Sequence, residues 1–401
     1  MKAVILAAGR SERLNPFTET RAKSMIRVAG LTILETLLGA LKDVGVTEVT
    51  LVVNHMRQGI EQTFQHGAPF GMSLDYVVQE KLDGIGAALA RCEPNMSGEP
   101  FLLVYGDVLT TGQPFRPVLE QYAEAGGAVA ALTLPKSSGE FGNVYLDNDM
   151  RITQLVEKPE NPHLSNYVFA GIFLLPGTIF DLLRKTKNDM EATFQSLIAS
   201  RNLTGTLWDG NWIDIRRPWQ ILEANRMLMD LWDRAEIHAS VRMEGSVHIE
   251  GPVRIEADVV LGAGTVLKGP CYIGRGSYIG NNALIRSYTS LGPESVVGFG
   301  TELKDCVLFG RSVLGRLSFI GDSVIGEGVH LGTGVTTVNY REDGTEVVVE
   351  TEEGRISTGM LKVGAFIGDR VVIGARHVLA PGTRIRSNHV EADRITLNSV
   401  V

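Results

Sequence analysis

The chain has 401 residues, 44% of them hydrophobic and 21% charged, with a formal net charge of −8. That length exceeds one ordinary core and the composition is that of a folding globular protein, so about two or three domains are expected. The acidic balance excludes a general nucleic-acid binder, which needs a basic face, while leaving room for a local basic pocket.

The apolar runs 3–8 and 101–105 are several times too short to cross a bilayer, and the first is too short a core for a signal peptide. No membrane association is expected, and a cytoplasmic protein is. Cys92, Cys271 and Cys306 are odd in number and widely spaced, which fits neither a disulfide framework nor a zinc site. Reduced, structural thiols are expected.

From the N-terminus, short apolar runs at 2–6, 49–53, 74–78, 101–105 and 129–134 read as strands. Segments with helical spacing stand between them, notably 33–41 and 60–65. Alternating strands and helices predict a mainly parallel α/β sheet, Rossmann-like, with ligands at the carboxyl ends of its strands. The first strand runs into Leu6-Ala7-Ala8-Gly9, followed by Arg13 and Lys23. Small residues after a strand let backbone N–H groups approach a phosphate, and the two cations can neutralise it. The loop matches neither the dinucleotide fingerprint nor the P-loop.

The segment 218–235 opens on Pro218 and continues with helical spacing of apolar residues, which predicts a helix between two domains. We place a first domain at 1–216, the linker helix at 217–234 and a second domain at 235–401.

That second domain announces itself by a repeat. Counting in sixes, Ile237, Met243, Ile249, Ile255, Leu261, Leu267, Ile273, Ile279, Ile285, Leu291, Val297 and Leu303 are all large and aliphatic. Small or β-branched residues such as Val253, Val259, Thr265 and Cys271 stand two positions earlier, read as corner residues. The register resumes at Ile367, Ile373, Leu379 and Ile385. A period of six predicts a left-handed parallel β-helix, a triangular coil whose turns stack into one core. Between these stretches an insert near 340–362 breaks the period, with a hairpin around Glu352-Glu353-Gly354.

Residues 1–230 resemble the sugar-phosphate nucleotidyltransferases. The opening pattern of that family is met by Leu6 to Leu14, Pro16, Thr18 and Lys23, with Ser11 where the family has Gly and Ala22 where Pro precedes the Lys. Gln79-Glu80 with Gly84 resembles the base-reading segment, with Ile85 at a position that is often Thr. Gly106-Asp107 resembles the pair whose carboxylate holds magnesium, and Trp212-Ile213-Asp214-Ile215 the motif with the second such carboxylate, Arg216 replacing its Gly. Phe141-Gly142-Asn143-Val144, Glu157-Lys158-Pro159 and Ser165-Asn166 resemble the sugar-contacting segments.

The resemblance implies attack of a sugar 1-phosphate oxygen on the α-phosphorus of a nucleoside triphosphate, with pyrophosphate leaving. Both reactants are anionic, so catalysis is largely alignment and charge neutralisation. Asp107 and Asp214 would hold Mg2+, a hard cation suited to carboxylate and phosphate oxygens. Arg13 and Lys23, with Asp107, would be catalytic. Leu6, Ala7, Ala8, Gly9, Gln79 and Gly84 would bind the nucleotide, and Gly142, Glu157, Lys158 and Asn166 the sugar phosphate. Ile85 leans toward UTP or dTTP.

The β-helix resembles the acetyltransferase half of bifunctional N-acetylglucosamine 1-phosphate uridylyltransferases. That resemblance implies a trimer, acetyl-CoA as a substrate if this half is active, and a second site with Arg286, Lys304, Arg316 and Asn339. Arg316 stands where that family has a His, and a guanidinium has no lone pair with which to take a proton from an attacking amine. Three readings follow: a nucleotidyltransferase with a scaffolding β-helix, a bifunctional enzyme using another base, and a non-catalytic sugar-nucleotide-binding subunit.

Overall fold

A computed structural model of the chain describes residues 1–54, 56–96, 98–135, 141–156 and 167–391. Two compact units make it up. The first holds Met1–Arg10, Ala22–Met25 and Ile33–Asp214; the second holds Ser11–Arg21, Ile26–Thr32 and everything from Ile215 onward.

The first unit is built on a seven-stranded sheet. Its order is Leu203–Leu207, Ala128–Thr133, Val168–Leu175, Phe101–Tyr105, Lys2–Leu6, Glu48–Val53 and Ser73–Val78. All neighbours run parallel except Val168–Leu175, which is antiparallel to both of its partners. Ala3, Val4 and Ile5 are all fully buried, as a strand covered on both faces requires. The helix Ile33–Asp43 buries Ile33, Leu34, Leu37, Leu38 and Leu41, the stripe expected of its helical spacing. The other segment with helical spacing forms Arg57–Phe64.

In the second unit, three parallel sheets of eight, eight and seven strands form the faces of a left-handed β-helix. Successive coils pair in register at eighteen residues, as in Val260↔Tyr278 and Tyr278↔Val296. The aliphatic series forms the fully buried core, from Leu261 through Ile279 and Leu291 to Leu331 and Ile373.

Two expectations change in detail. The small residues do not turn the corners: Val253, Val259, Thr265 and Cys271 are buried, because residues two apart on a strand share a face. The corners are instead turned by a residue with positive φ, such as Asp258, Gly276, Asn282, Glu294, Gly300 and Arg311. Nor does the coil lose its regularity after Leu303. Pairing continues at seventeen residues through Leu291↔Leu308 and Leu303↔Ile320, because the steps to the corners at Asp305 and Asp322 are five residues long.

The insert forms the antiparallel hairpin Val348–Thr351 with Gly354–Ser357. The helix expected over 218–235 is shorter, Gln220–Met229. Inside it, Asn225 is fully buried, accepting from Ala29 N and donating to Tyr288 O. All three cysteines are free and buried, and burial pushes the Cys92 and Cys271 thiols up to about 12. Among the described residues no helix is long and apolar enough to cross a membrane.

Candidate active site

Two short strands bring the acidic residues together. Asp107 sits between Phe101–Tyr105 and Val108–Thr110, and Asp214 ends Trp212–Asp214. The latter two strands pair antiparallel, with Asp214 opposite Val108, so residues 107 positions apart in sequence become neighbours at the sheet's carboxyl edge. Trp212 anchors its strand by donating from Nε1 to Ala170 O at 3.0 Å and by an edge-on contact with Phe141.

Lys23 enters this place from the segment Ala22–Met25. Its Nζ donates to Asp107 Oδ2 at 2.9 Å and to Asp214 Oδ1 at 3.1 Å. The Lys23 side chain is 8% exposed and that of Asp214 12%, whereas Asp107 is 38% exposed. The pair therefore already holds one cation through hard oxygen donors, with an open side at Asp107. This donor set fits Mg2+, which takes one or two protein carboxylates and completes its shell with substrate phosphates and water. Among the described residues no group of three or more His, Cys, Asp or Glu could hold a metal.

Gly106 permits the approach of the two central strands. Its N–H donates to Leu6 O at 2.9 Å, and a Cβ built on it would lie 2.6 Å from that carbonyl oxygen. Ala7 N donates to Val52 O at 2.8 Å, fixing the start of the small-residue loop. Ala8 is buried and Gly9 exposed.

Gln79 is buried and donates from Nε2 to Asp83 Oδ1 at 3.0 Å and to Gly84 O at 3.1 Å. Gly84 has φ +101 with open space where a side chain would stand, and it opens the helix Ile85–Ala90. Sequence reasoning missed Asp83, which also receives Arg91; these two hydrogen bonds, the Arg91 one first, lower its carboxyl to about 2.

Arg13 belongs to the second unit. Its Nε lies 2.7 Å from Glu353 Oε1 at the hairpin tip, and Arg217 reaches Glu353 Oε2 at 2.5 Å. Arg217 first and Arg13 second hold the Glu353 carboxyl below its ordinary range. Ser11 has φ 53, so this chain turns with Ser in a conformation that favours Gly. Gly142 is half-buried; Glu157, Lys158 and Asn166 lie outside the described residues.

Of the β-helix residues, Lys304 and Asn339 meet at Asp322: Lys304 Nζ lies 2.9 Å from Oδ2, and Asn339 Nδ2 donates to the same oxygen. Arg286 pairs with Glu302 at 2.8 Å, and Arg316 is exposed at a coil corner.

Residues 2–230 match the family described as nucleotidyl transferase, and residues 267–356 match the one described as GMPPB C-terminal domain. The chain belongs to the nucleotidyl transferase family. Similar proteins include one named "Bifunctional protein GlmU" from Methanocaldococcus jannaschii, 36% identical over 97% of this chain and 92% of the relative. A "Bifunctional sugar-1-phosphate nucleotidylyltransferase/acetyltransferase" from Sulfurisphaera tokodaii is 33% identical over 96% of this chain and 94% of its own length. Among solved structures, a putative glucose-1-phosphate thymidylyltransferase from Bacillus anthracis is similar with a TM-score of 0.54 and 25% identity. It covers 57% of this chain and 94% of its own.

Proposed function

We propose that the first unit transfers a nucleotidyl group from a nucleoside triphosphate to a sugar 1-phosphate, using Mg2+. The observation that carries this reading is the meeting of Asp107 and Asp214 on Lys23 at the carboxyl edge of the sheet. A phosphate oxygen of the sugar attacks the α-phosphorus, the bond to the β-phosphate oxygen breaks, and pyrophosphate leaves. Magnesium, when bound, would neutralise phosphate charge from Asp107 and Asp214. Lys23 contributes a further point charge, and the backbone of 6–9 would lie along the triphosphate. Gln79, held by Asp83 and Gly84, presents its remaining amide capacity to the base. Ile85, 40% exposed at the start of its helix, favours UTP or dTTP by offering an apolar contact. Glu157, Lys158, Asn166 and Gly142 would take the sugar phosphate, and Arg13 a triphosphate oxygen. The test is pyrophosphate release across a matrix of triphosphates and hexose 1-phosphates.

The names of the whole-length relatives favour a second reading, in which the β-helix also acetylates an amino-sugar 1-phosphate from acetyl-CoA. Against it stand Arg316 in place of a base and the internal pairing of Lys304 with Asp322. Release of free coenzyme A thiol with glucosamine 1-phosphate, at a rate comparable to nucleotidyl transfer, would establish it. The β-helix would also join copies of the chain into a trimer: one of its sheets exposes Tyr278, Val296, Val372 and Val390, with exposed His330 standing among them in the same file. Light scattering on the purified protein reads that mass directly.

A further inference from the structure

We infer that Lys23 is an internal counterion that withholds the Asp107–Asp214 pair from divalent metal until a triphosphate draws its ammonium away, so that metal binds after or together with nucleotide. The inference rests on the functional reading above and adds an order of events to it.

Lys23 Nζ lies within hydrogen-bond distance of one oxygen of each carboxylate, 2.9 and 3.1 Å. An ammonium so placed supplies the positive charge that would otherwise attract a metal, and a metal bound to the same two oxygens would be repelled at close range. The side chain is 8% exposed, so solvent screens this interaction little. The lysine stem is flexible and its head carries three donors that can be aimed elsewhere. A triphosphate offers several anionic oxygens in the same region. Transfer of the ammonium from carboxylate to phosphate costs little, because one charge-assisted contact replaces another. The vacated carboxylates and the arriving phosphates then form one oxygen-rich cage for the hard cation, which neither could complete alone.

The experiment is a Mn2+ titration of the nucleotide-free full chain followed by the EPR signal of unbound Mn2+. Wild type is compared with Lys23→Met, Lys23→Gln and Lys23→Arg, and with Lys23→Met combined with Asp214→Asn. Removing the ammonium is expected to tighten Mn2+ binding about tenfold or more, since a unit charge has left its immediate neighbourhood. Lys23→Arg is expected to stay as weak as wild type, and Asp214→Asn to abolish the gain. Lys23→Gln keeps hydrogen bonding to the carboxylates if Met destabilises the unit, and the unfolding temperature of each variant shows which ones report. Mn2+ affinity unchanged in the folded neutral variants, or already tight in wild type, would overturn the inference while leaving nucleotidyl transfer untouched. Conversely, a gain in Mn2+ affinity in the neutral variants beside a wild type that releases no pyrophosphate would sustain the counterion role and sink the transferase reading.

Discussion

Arg226 offers its Nε to both carboxylate oxygens of Asp305, at 3.0 and 2.8 Å, across 79 residues of sequence. Asp305 is 6% exposed and is the residue that turns the first five-residue corner of the β-helix. The guanidinium also lies 3.6 Å from Asp322, which turns the second. One helical residue thus compensates the charge of two stacked corners, while Lys304 and Asn339 satisfy the other side of Asp322. Burial outweighs the pull of Arg226 and raises the Asp305 carboxyl above its ordinary range.

Arg226→Met would leave Asp305 enclosed without its cation. A destabilisation of about 2–4 kcal/mol is expected, because breaking a buried pair costs more than the pair contributes. Denaturant unfolding of the β-helix transition measures it, and the double variant Arg226→Met/Asp305→Asn should recover part of the loss.

Much of this architecture was legible in the sequence because its periods are physical. A six-residue spacing of aliphatic side chains can only stack in a triangular coil, and the parallel strands are continuous apolar runs. The six-residue period ends at Leu303 because a corner one residue shorter shifts every later position, and nothing in the residue types around Asp305 marks the deletion. The site was legible in part. Asp107 and Asp214 stand in recognisable motifs, but that Lys23 bridges them is a tertiary fact spanning 84 and 191 residues. Asp83 and Glu353 escaped notice because a carboxylate on a turn looks solvated until its arginine partners are placed beside it.

Gly106→Ala places a methyl group 2.6 Å from the Leu6 carbonyl oxygen, where backbone cannot yield cheaply. The strand end that carries Asp107 must move, and a displacement near 1 Å can cost about a hundredfold in rate. A fall of that order in kcat/KM with an unfolding temperature lowered only slightly is expected. An active Gly106→Ala enzyme would show that the approach of these strands is not needed.

Hydrogen bonds from Arg91 first and Gln79 second hold the Asp83 carboxyl down at about 2, below the ordinary carboxylate range. Its folded value is depressed, so the stability it contributes is present above the ordinary carboxylate range and is lost as pH falls toward about 2. Arg91→Ala should return the Asp83 midpoint toward about 3.9 in a carboxyl-resolved NMR titration. The variant should also show a weaker loss of stability between pH 4 and 2.

Pyrophosphate release by Asp107→Asn tests most directly whether Asp107 and Asp214, gathered on Lys23, carry nucleotidyl transfer. With Mg2+, UTP or dTTP and a hexose 1-phosphate, wild type is expected to release pyrophosphate, and Asp107→Asn to lose at least about a hundredfold in kcat while keeping its fold. An Asp107→Asn protein as active as wild type would contradict the account, as would a wild type silent with every triphosphate and sugar phosphate in the matrix.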